Sequence, residues 1–370
     1  MKIKIATKAL LSIMNCVIGT VENNSITPIL QNVLFTVDKN LLTITSSNLE
    51  VEMSTETQLD KCTESFSSTL PARKLHDIVK ALPDSSVLTL TFDKKKEKAT
   101  LTCGRSRFTL TTLSANDFPT IEVNNKQSNT LTIDASILNQ LIANTQFAMA
   151  HRDVRYYLNG MFFRVDNKEL SVVATDGHRL STNTIDITST INPCRELIVP
   201  RKGIAEMLKA LKWVSGDVTL TFSANHICLK GDCFNLISKL VDGKYPDFES
   251  VIPKSNDKRL VADLGHLQSS LKRASILTHD KTNGVKLSLT NNQLQVNTNS
   301  LDVGGSEDFV DIEYSDANLV ICFNVAYLLD ALNVINGSKA VIDFGSSNNS
   351  IIIHGKQATG SRNIVMPIRM

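Results

Sequence analysis

Three markers recur along the 370-residue chain in one order and at one spacing, and that spacing constrains what the chain can fold into. The first is a helix-like stretch at residues 8–14, 136–142 and 266–271, in which Leu10, Leu138 and Leu267 correspond at separations of 128 and 129 residues. The second is strand-like, at 40–44, 169–173 and 293–296, in which Leu42, Leu170 and Leu294 lie 128 and 124 residues apart. The third, at 71–74, 200–203 and 323–326, opens an amphipathic helix each time. A period of roughly 20 to 50 residues would build a solenoid. A period of about 125 residues is a whole domain repeated. The chain therefore divides into domains over 1–126, 127–255 and 256–370, with polar, turn-rich linkers at 123–128 and 253–258.

Each domain is long enough to bury its own core. No apolar run approaches the ~18 residues of a membrane span, so no membrane partner is expected. Residues 1–5 alternate like a strand and lack the apolar centre of an export signal. Seven cysteines, at 16, 62, 103, 194, 228, 233 and 322, are odd in number and scattered over all three domains. They read as reduced thiols of a cytoplasmic protein, not as a disulfide framework. A net charge of +2 neither demands a nucleic-acid partner nor repels one. The single Trp weighs against base stacking on single strands.

Within each third the pattern is strand, helix, several strands, helix, further strands. Leu10, Leu11, Ile13, Met14, Val17 and Ile18 form one helical face. Leu75, Ile78, Val79 and Leu82 form another, with Pro71 at the first helical position and Pro83 past the end. Residues 87–92 and 218–222 alternate with period two, as half-buried strands do. Two helices on one face of antiparallel sheet, made three times, is an α+β architecture.

No catalytic constellation assembles. The chain has no phosphate loop, no dinucleotide fingerprint, no His-Glu-x-x-His and no nucleophile elbow. His226 and Cys228 with Cys233 are the best metal candidates, but zinc needs a fourth ligand. Lys230-Gly231 reads as a two-residue hairpin turn that sets Cys228 opposite Cys233, so paired thiols without metal are expected. The run Lys94, Lys95, Lys96, Glu97, Lys98 reads as a solvated hairpin tip. Arg73, Lys74, Arg201, Lys202, Lys209, Lys212, Lys272 and Arg273 lie on or at the start of the repeated helices. Basic helix faces are often only solvated, yet one face basic in successive repeats also suits a shared polyanion. The sharpest local feature is 172–180, where a strand ends, Asp176-Gly177 turns, and His178-Arg179-Leu180 follows. An Asp-His proton-transfer pair there lacks a nucleophile; the alternative is a tight turn with a satisfied histidine.

Over its whole length the chain resembles the bacterial sliding clamps, the beta subunits of the replicative DNA polymerase. The most specific pieces are 151–160, 174–180, 238–247 and 365–369. The resemblance implies a non-catalytic DNA clamp without cofactor or metal. It implies a head-to-tail homodimer whose six domains close a ring around duplex DNA without base readout. Implied partners are the polymerase alpha subunit, the clamp-loader delta subunit and other proteins carrying a clamp-binding motif. The implied location is the bacterial cytoplasm, at the nucleoid during replication.

The family's partner-peptide cleft maps onto Arg155, Leu158, Thr175, Gly177, His178, Arg179, Leu180, Pro246 and Val251. From the last third it takes Asn324, Tyr327, Ser350, Ile364, Met366, Pro367, Ile368 and Arg369. Apolar walls with a few polar fixers are the composition of a peptide pocket. Only the second third spells Asp-Gly-His-Arg-Leu and only the last has a free tail, so one site per subunit is expected. It would take about five residues carrying leucine and an aromatic, the scale of a short extended peptide segment. Ser250 stands where the family often has arginine, and Asn348 where an apolar residue is common. For DNA, Arg73, His151, Arg152, Tyr156, Tyr157, Arg201 and Lys202 match family positions, with Asn24 and Arg152 departing from the usual arginine and glutamine. At the dimer contact Phe108 and Leu110 would meet Ile276 and Leu277, and Lys74, Arg105 and Arg107 would face Asp302, Glu307 and Asp308. Two rivals stay open from the residues alone: a monomeric repeat scaffold that ignores DNA, and a hydrolase using Asp176 and His178.

Overall fold

The repeated leucines are where the periodicity places them, at the bottom of equivalent elements. Leu42, Leu170 and Leu294 are fully buried, as are Leu10 and Leu138, with Leu267 at 1% exposure. The structure is a computed structural model, described here for all residues except 23–25, 60–64, 124–128, 167, 189–192, 279–282, 301–303, 357–359 and 369–370. Asn24, Cys62, Asp302 and Arg369, all singled out above, therefore lie outside the described residues, as does most of the first linker.

The first repeat runs β1 (Lys2–Ala6), α1 (Thr7–Val17), β2 (Asn32–Asp38), β3 (Leu41–Ser47), β4 (Val51–Gln58) and β5 (Phe66–Pro71). It continues with α2 (Ala72–Lys80), β6 (Val87–Asp93), β7 (Lys98–Cys103) and β8 (Ser106–Thr111). The second runs β9 (Asn129–Asp134), α3 (Ala135–Ala143), β10 (Gly160–Val165), β11 (Glu169–Thr175), β12 (Arg179–Asp186) and β13 (Arg195–Pro200). Its remainder is α4 (Arg201–Leu211), β14 (Asp217–Phe222), β15 (His226–Lys230) and β16 (Phe234–Lys239). The third runs β17 (Lys258–Asp263), α5 (Leu264–Ser275), β18 (Gly284–Thr290), β19 (Gln293–Ser300), β20 (Gly304–Glu313) and β21 (Leu319–Asn324). It ends with α6 (Val325–Asn333), β22 (Lys339–Phe344), β23 (Ile351–Gly355) and β24 (Ser361–Val365). Strand, helix, four strands, helix, three strands is thus made three times.

Local chemistry explains where the helices start. Leu10, Ile13, Met14 and Val17 bury one face of α1 at the i, i+3, i+4, i+7 spacing of an amphipathic helix. Pro71 and Pro200 are the caps of α2 and α4; each ends a strand and supplies a fixed φ before the first helical residue. The last repeat uses side chains instead. Asp263 accepts from the His266 amide and Asn324 from the Ala326 amide, each at 2.9 Å, satisfying amides that a helix leaves unpaired.

Two compact units result, and they cut across the repeats: residues 1–139 with 199–240, and residues 140–198 with 241–370. The first unit holds a four-stranded sheet, β1-β6-β7-β8, and an eight-stranded sheet, β5-β2-β3-β4-β16-β15-β14-β9. There β4 pairs with β16 from Val51 opposite Ser238 to Thr55 opposite Phe234. The second unit is built on a twelve-stranded sheet, β13-β10-β11-β12-β24-β23-β22-β17-β20-β19-β18-β21. There β12 pairs with β24 from Arg179 opposite Val365 to Asn183 opposite Ser361. Both joints give an edge strand of the second repeat a partner from a neighbouring repeat, which removes an exposed ladder edge. The apolar centre of the second unit includes Phe323 and Phe344, both fully buried, packed with the inner faces of α5 and α6.

The lysine run falls where a hairpin tip was expected, between β6 and β7, with Asp93 Oδ1 accepting from the Lys95 and Lys96 amides. The cysteine hairpin does not have the expected register. Lys230 pairs with Asn235 and Cys228 with Ile237, because the chain turns over 231–234 instead of at Lys230-Gly231. Cys233 is therefore in the turn and not opposite Cys228. Glycine suits position 231 in this turn, because a Cβ there would come within 2.7 Å of the Phe234 ring.

Candidate functional site

The Asp176-Gly177 turn closes itself with its own side chains. Gly177 sits at φ +89°, a conformation costly for any residue with a Cβ. A Cβ there would also press within 3.0 Å of the Arg155 guanidinium. Asp176 Oδ1 accepts from the His178 amide at 2.9 Å and the Arg179 amide at 3.0 Å, and Oδ2 accepts from Arg179 Nε at 3.0 Å. Thr175 Oγ1 donates to the Arg179 carbonyl at 2.6 Å and accepts from the Gly177 amide at 3.1 Å. Both Asp176 oxygens are thus occupied in building an Asx-type turn. The Asp-His proton-transfer pair is not formed; the exposed His178 ring lies parallel to the Tyr327 ring at 6.5 Å between centroids.

Arg179 pins the turn to its surroundings. Nη1 donates to Asp330 Oδ2 at 2.6 Å and Nη2 to the Phe147 carbonyl at 2.7 Å. The guanidinium carbon stands 4.5 Å from the Tyr327 ring centroid and 5.3 Å from that of Phe147, within cation–π range. Its donors are engaged, so it positions the site instead of reaching out from it. Arg155 braces the other side. It binds Asp153 through Nε at 3.0 Å and Nη2 at 2.8 Å and donates to the Asp176 carbonyl at 3.2 Å. The Arg155 hydrogen bonds hold the Asp153 carboxyl down at about 2. Asp153, Phe147 and Asp330 were not singled out from the sequence. Asp153 lies inside the 151–160 block, two residues from the arginine it holds, whereas Asp330 carries no local pattern because the fold brings Arg179 to it.

Residues 364–368 lie beside this turn. Leu180 stands opposite Ile364 in the ladder, the Met366 amide donates to the His178 carbonyl at 3.0 Å, and the Ile368 amide donates to the Cys322 carbonyl at 2.8 Å. Leu158, Leu180 and Ile364 join Ala150, Phe162, Val173, Ile198 and Tyr245 in one buried cluster, rimmed by Tyr157, Phe248, Ile252 and Ile352. Tyr245 stacks on Phe162 at 4.9 Å. Met366, Pro367 and Ile368 are half-buried, Pro246 is exposed, and Val251 is 36% exposed at the end of a short helical turn. An apolar floor with partly open apolar walls follows. Asn324 caps α6, on which Tyr327 sits. Ser350 acts through its carbonyl, which accepts from Asn256 Nδ2 at 3.0 Å.

The candidate DNA residues fall into two groups. Arg73 donates to the Val21 carbonyl at 3.2 Å and Lys202 meets Glu22 at 3.7 Å, so the first turns of α2 and α4 converge on one short segment of the first unit, with Arg201 alongside Lys202. In the second unit His151, Arg152 and Tyr156 are exposed, and Arg152 has φ +58° in a loop tightened by Asn159. Tyr156 and Tyr157 meet edge to face at 5.8 Å. Of the other helix cations, Lys209 pairs with the buried Glu206 at 2.7 Å and Arg273 with Asp308 at 2.8 Å.

Among the sheet edges, two carry the candidate dimer residues. In the first unit β8 pairs only with β7; it exposes Arg107 and half-buries Phe108 and Leu110, with Arg105 and Lys74 exposed. In the second, β20 meets β17 only at Ile312 and Glu313, so its stretch from Gly304 to Asp311 pairs on one side alone, with β19. That stretch carries Glu307, Asp308 and the exposed Phe309; nearby Ile276 is 76% exposed and Leu277 half-buried. Phe309 was missed, although the alternation around Val310 puts it on the outer face.

Among the described residues, no group of three His, Cys, Asp or Glu stands close enough to hold an ion. Burial pushes the Cys16 and Cys228 thiols up to about 11, which keeps them neutral. No helix of the described residues is long and apolar enough to cross a membrane.

Comparison with known proteins agrees with this architecture. The family models of the DNA polymerase III beta subunit match residues 1–122 with the N-terminal domain, 132–247 with the central domain and 249–369 with the C-terminal domain. The beta sliding clamp of Pseudomonas aeruginosa is 40% identical over 370 residues, and that of Escherichia coli K12 is 36% identical over 371, each match covering 100% of both chains. The crystal structure of the DNA polymerase III subunit beta from Pseudomonas aeruginosa matches with a TM-score of 0.96 over 100% of both chains. Fold and matches together define a DNA clamp of three repeated α+β domains. The chain belongs to the DNA polymerase III beta subunit family, the bacterial beta sliding clamps. It is a non-catalytic processivity factor.

The Asp153 carboxyl has a measurable signature. Its folded value is depressed, so its ion pair with Arg155 contributes fully above the ordinary carboxylate value of 3.8 and is lost only as pH falls through about 2. Carbon-detected NMR should find a midpoint near the lower value; one near 3.8 would mean that Arg155 does not hold it.

Proposed function

We propose that two copies of the chain join head to tail into a ring that encircles duplex DNA, each copy offering one cleft for a linear peptide of the replicative polymerase and its accessory proteins. The observation that carries the dimer reading is the pair of open edges. Strand β8 has cations beside a small apolar pair, and β20 has Glu307 and Asp308 beside exposed Phe309 and Ile276. An open edge is a template for strand addition, and opposite charges set which edge meets which. Unlike surfaces meeting twice in a closed arrangement give a heterologous ring contact. Asp308 already pairs with Arg273 inside its own chain, so the partner's Arg105 or Arg107 would share it, not claim it alone.

On DNA, Arg73, Arg201, Lys202, His151, Arg152, Tyr156 and Tyr157 would touch phosphate and sugar without reading bases, as a sliding protein requires. Glu22 beside Lys202 keeps that attraction weak. Binding then rests on enclosure more than on affinity. The peptide cleft would be the apolar floor around Leu158, Leu180 and Ile364, walled by Met366, Pro367 and Ile368, with His178 and Tyr327 as an aromatic rim. Its partners would be the polymerase alpha subunit, the clamp-loader delta subunit and other carriers of the same motif.

Two variants test these surfaces. Ile276→Ala with Leu277→Ala should cost about 2 to 4 kcal/mol of association and release monomers in sub-micromolar sedimentation; a persistent dimer would place the contact elsewhere. Deleting residues 366–370 removes the cleft wall but spares Ile364 and Val365 in β24. That protein should fold and dimerise yet lose binding of a polymerase-derived peptide in fluorescence polarisation. Unchanged affinity would sink the cleft, and loss of folding would make the tail core strand.

A further inference from the structure

The cleft floor does not end where its apolar residues end. Along β10, β11, β12 and β24, side chains two residues apart share one face of the sheet. The row Thr175, Leu180, Ile364 is followed on that face by Phe162, Val173, Thr182, Arg362 and then by Arg164, Ser171, Thr184. Thr182 and Arg362 of the middle row, with all three residues of the last, line a groove of about 800 Å³. Phe248 and Ile252 pack on the apolar cluster and also line this groove, so one segment borders both. Glu249 fixes that segment to the sheet by an ion pair with Arg164 at 3.2 Å.

The chemistry changes sharply along this face. Ser171 and Thr184 are hydrogen-bonded to each other at 2.9 Å, making a hydroxyl floor. Arg164 is already shared by Glu249 and by Asp166 at 3.8 Å. Arg362 and Lys254, both exposed at the groove wall, have no ion-pair partner among the described residues. On the opposite side Glu169 stands at the start of β11. The lining balances three cations against three carboxylates, but Asp166 and Glu249 are turned to Arg164, which leaves Arg362 and Lys254 as the cations that an incoming carboxylate can meet. From Leu180 to Thr184 is four residues of strand, roughly 13 Å at the ~3.3 Å rise of an extended chain, a span that about four peptide residues cover.

We infer that this polar groove holds the flank of the same partner peptide whose apolar residues fill the cleft, and that it selects hydrogen-bonding, acidic flanks through Arg362 and Lys254. The inference rests on the peptide-cleft reading above and extends it. The apolar row would supply affinity common to all partners, while the polar rows would rank them by what adjoins the motif.

The test uses the full-length protein and three labelled peptides in fluorescence polarisation: a five-residue apolar core, and the same core with four residues including two aspartates added before or after it. One flanked peptide should bind more tightly than the core by about threefold to tenfold, the range of one or two exposed charge contacts, and less so in high salt. Arg362→Glu should abolish that gain and leave core binding unchanged, and replacing the flank aspartates by lysines should restore it on the variant. If the core binds but neither flank tightens it, or the gain survives in Arg362→Glu, the inference is wrong and the cleft stands. If the core itself fails to bind, the cleft reading falls and this inference with it.

Discussion

The ladder between β12 and β24 is the contact on which the site depends. It sets Leu180 beside Ile364, residues 184 apart in sequence, and by doing so brings residues 366–368 against the Asp176-Gly177 turn. Every other feature of the cleft refers to that register. The Met366 amide can reach the His178 carbonyl only because Val365 stands opposite Arg179. A slip of one residue would turn Ile364 to the other face and remove it from the apolar floor. Arg179 secures the register from the side, since its guanidinium ties the start of β12 to Asp330 and to Phe147.

The charged side chains at this site are used as structure. Asp176 builds the turn, Asp153 orients Arg155, and Asp330 anchors Arg179. What remains open is apolar wall, aromatic rim and a few exposed cations, which suits a protein that holds partners and leaves chemistry to them. The DNA-facing candidates are similarly restrained. Arg73 and Lys202 both attach to the Val21-Glu22 segment, and Glu22 offsets part of their charge. Strong phosphate contacts would oppose sliding, because each one adds to the salt-sensitive attraction that must be broken at every step.

Much of this was legible in the sequence. The repeated leucines located the equivalent helices and strands because burial forces the same residue at the same depth in each copy. The Asp-Gly turn and the tail stood out as departures from the repeat. What the sequence concealed was relational. The convergence of Arg73 and Lys202 on one segment, the Arg179 anchors and the polar rows beyond Leu180 exist only through strand register, which no local pattern encodes. The misjudged cysteine hairpin has the same origin. Lys230-Gly231 satisfied a two-residue turn by residue preference, but pairing of Lys230 with Asn235 set a longer turn. The compact units also cut across the repeats, because β4 and β12 pair with strands from neighbouring copies. Asp302 and Arg369 were assigned roles by resemblance, and both lie outside the described residues.

Enclosure makes one claim that affinity alone cannot imitate. The protein, loaded on a closed circular duplex by its clamp loader, should remain on that circle through gel filtration at a salt concentration that abolishes its binding to short duplex. Cutting the circle once should release it, because the linear molecule has the same sequence and phosphates but two open ends. Equal retention on circular and linear DNA, falling together with salt, would show ordinary phosphate binding and contradict the ring.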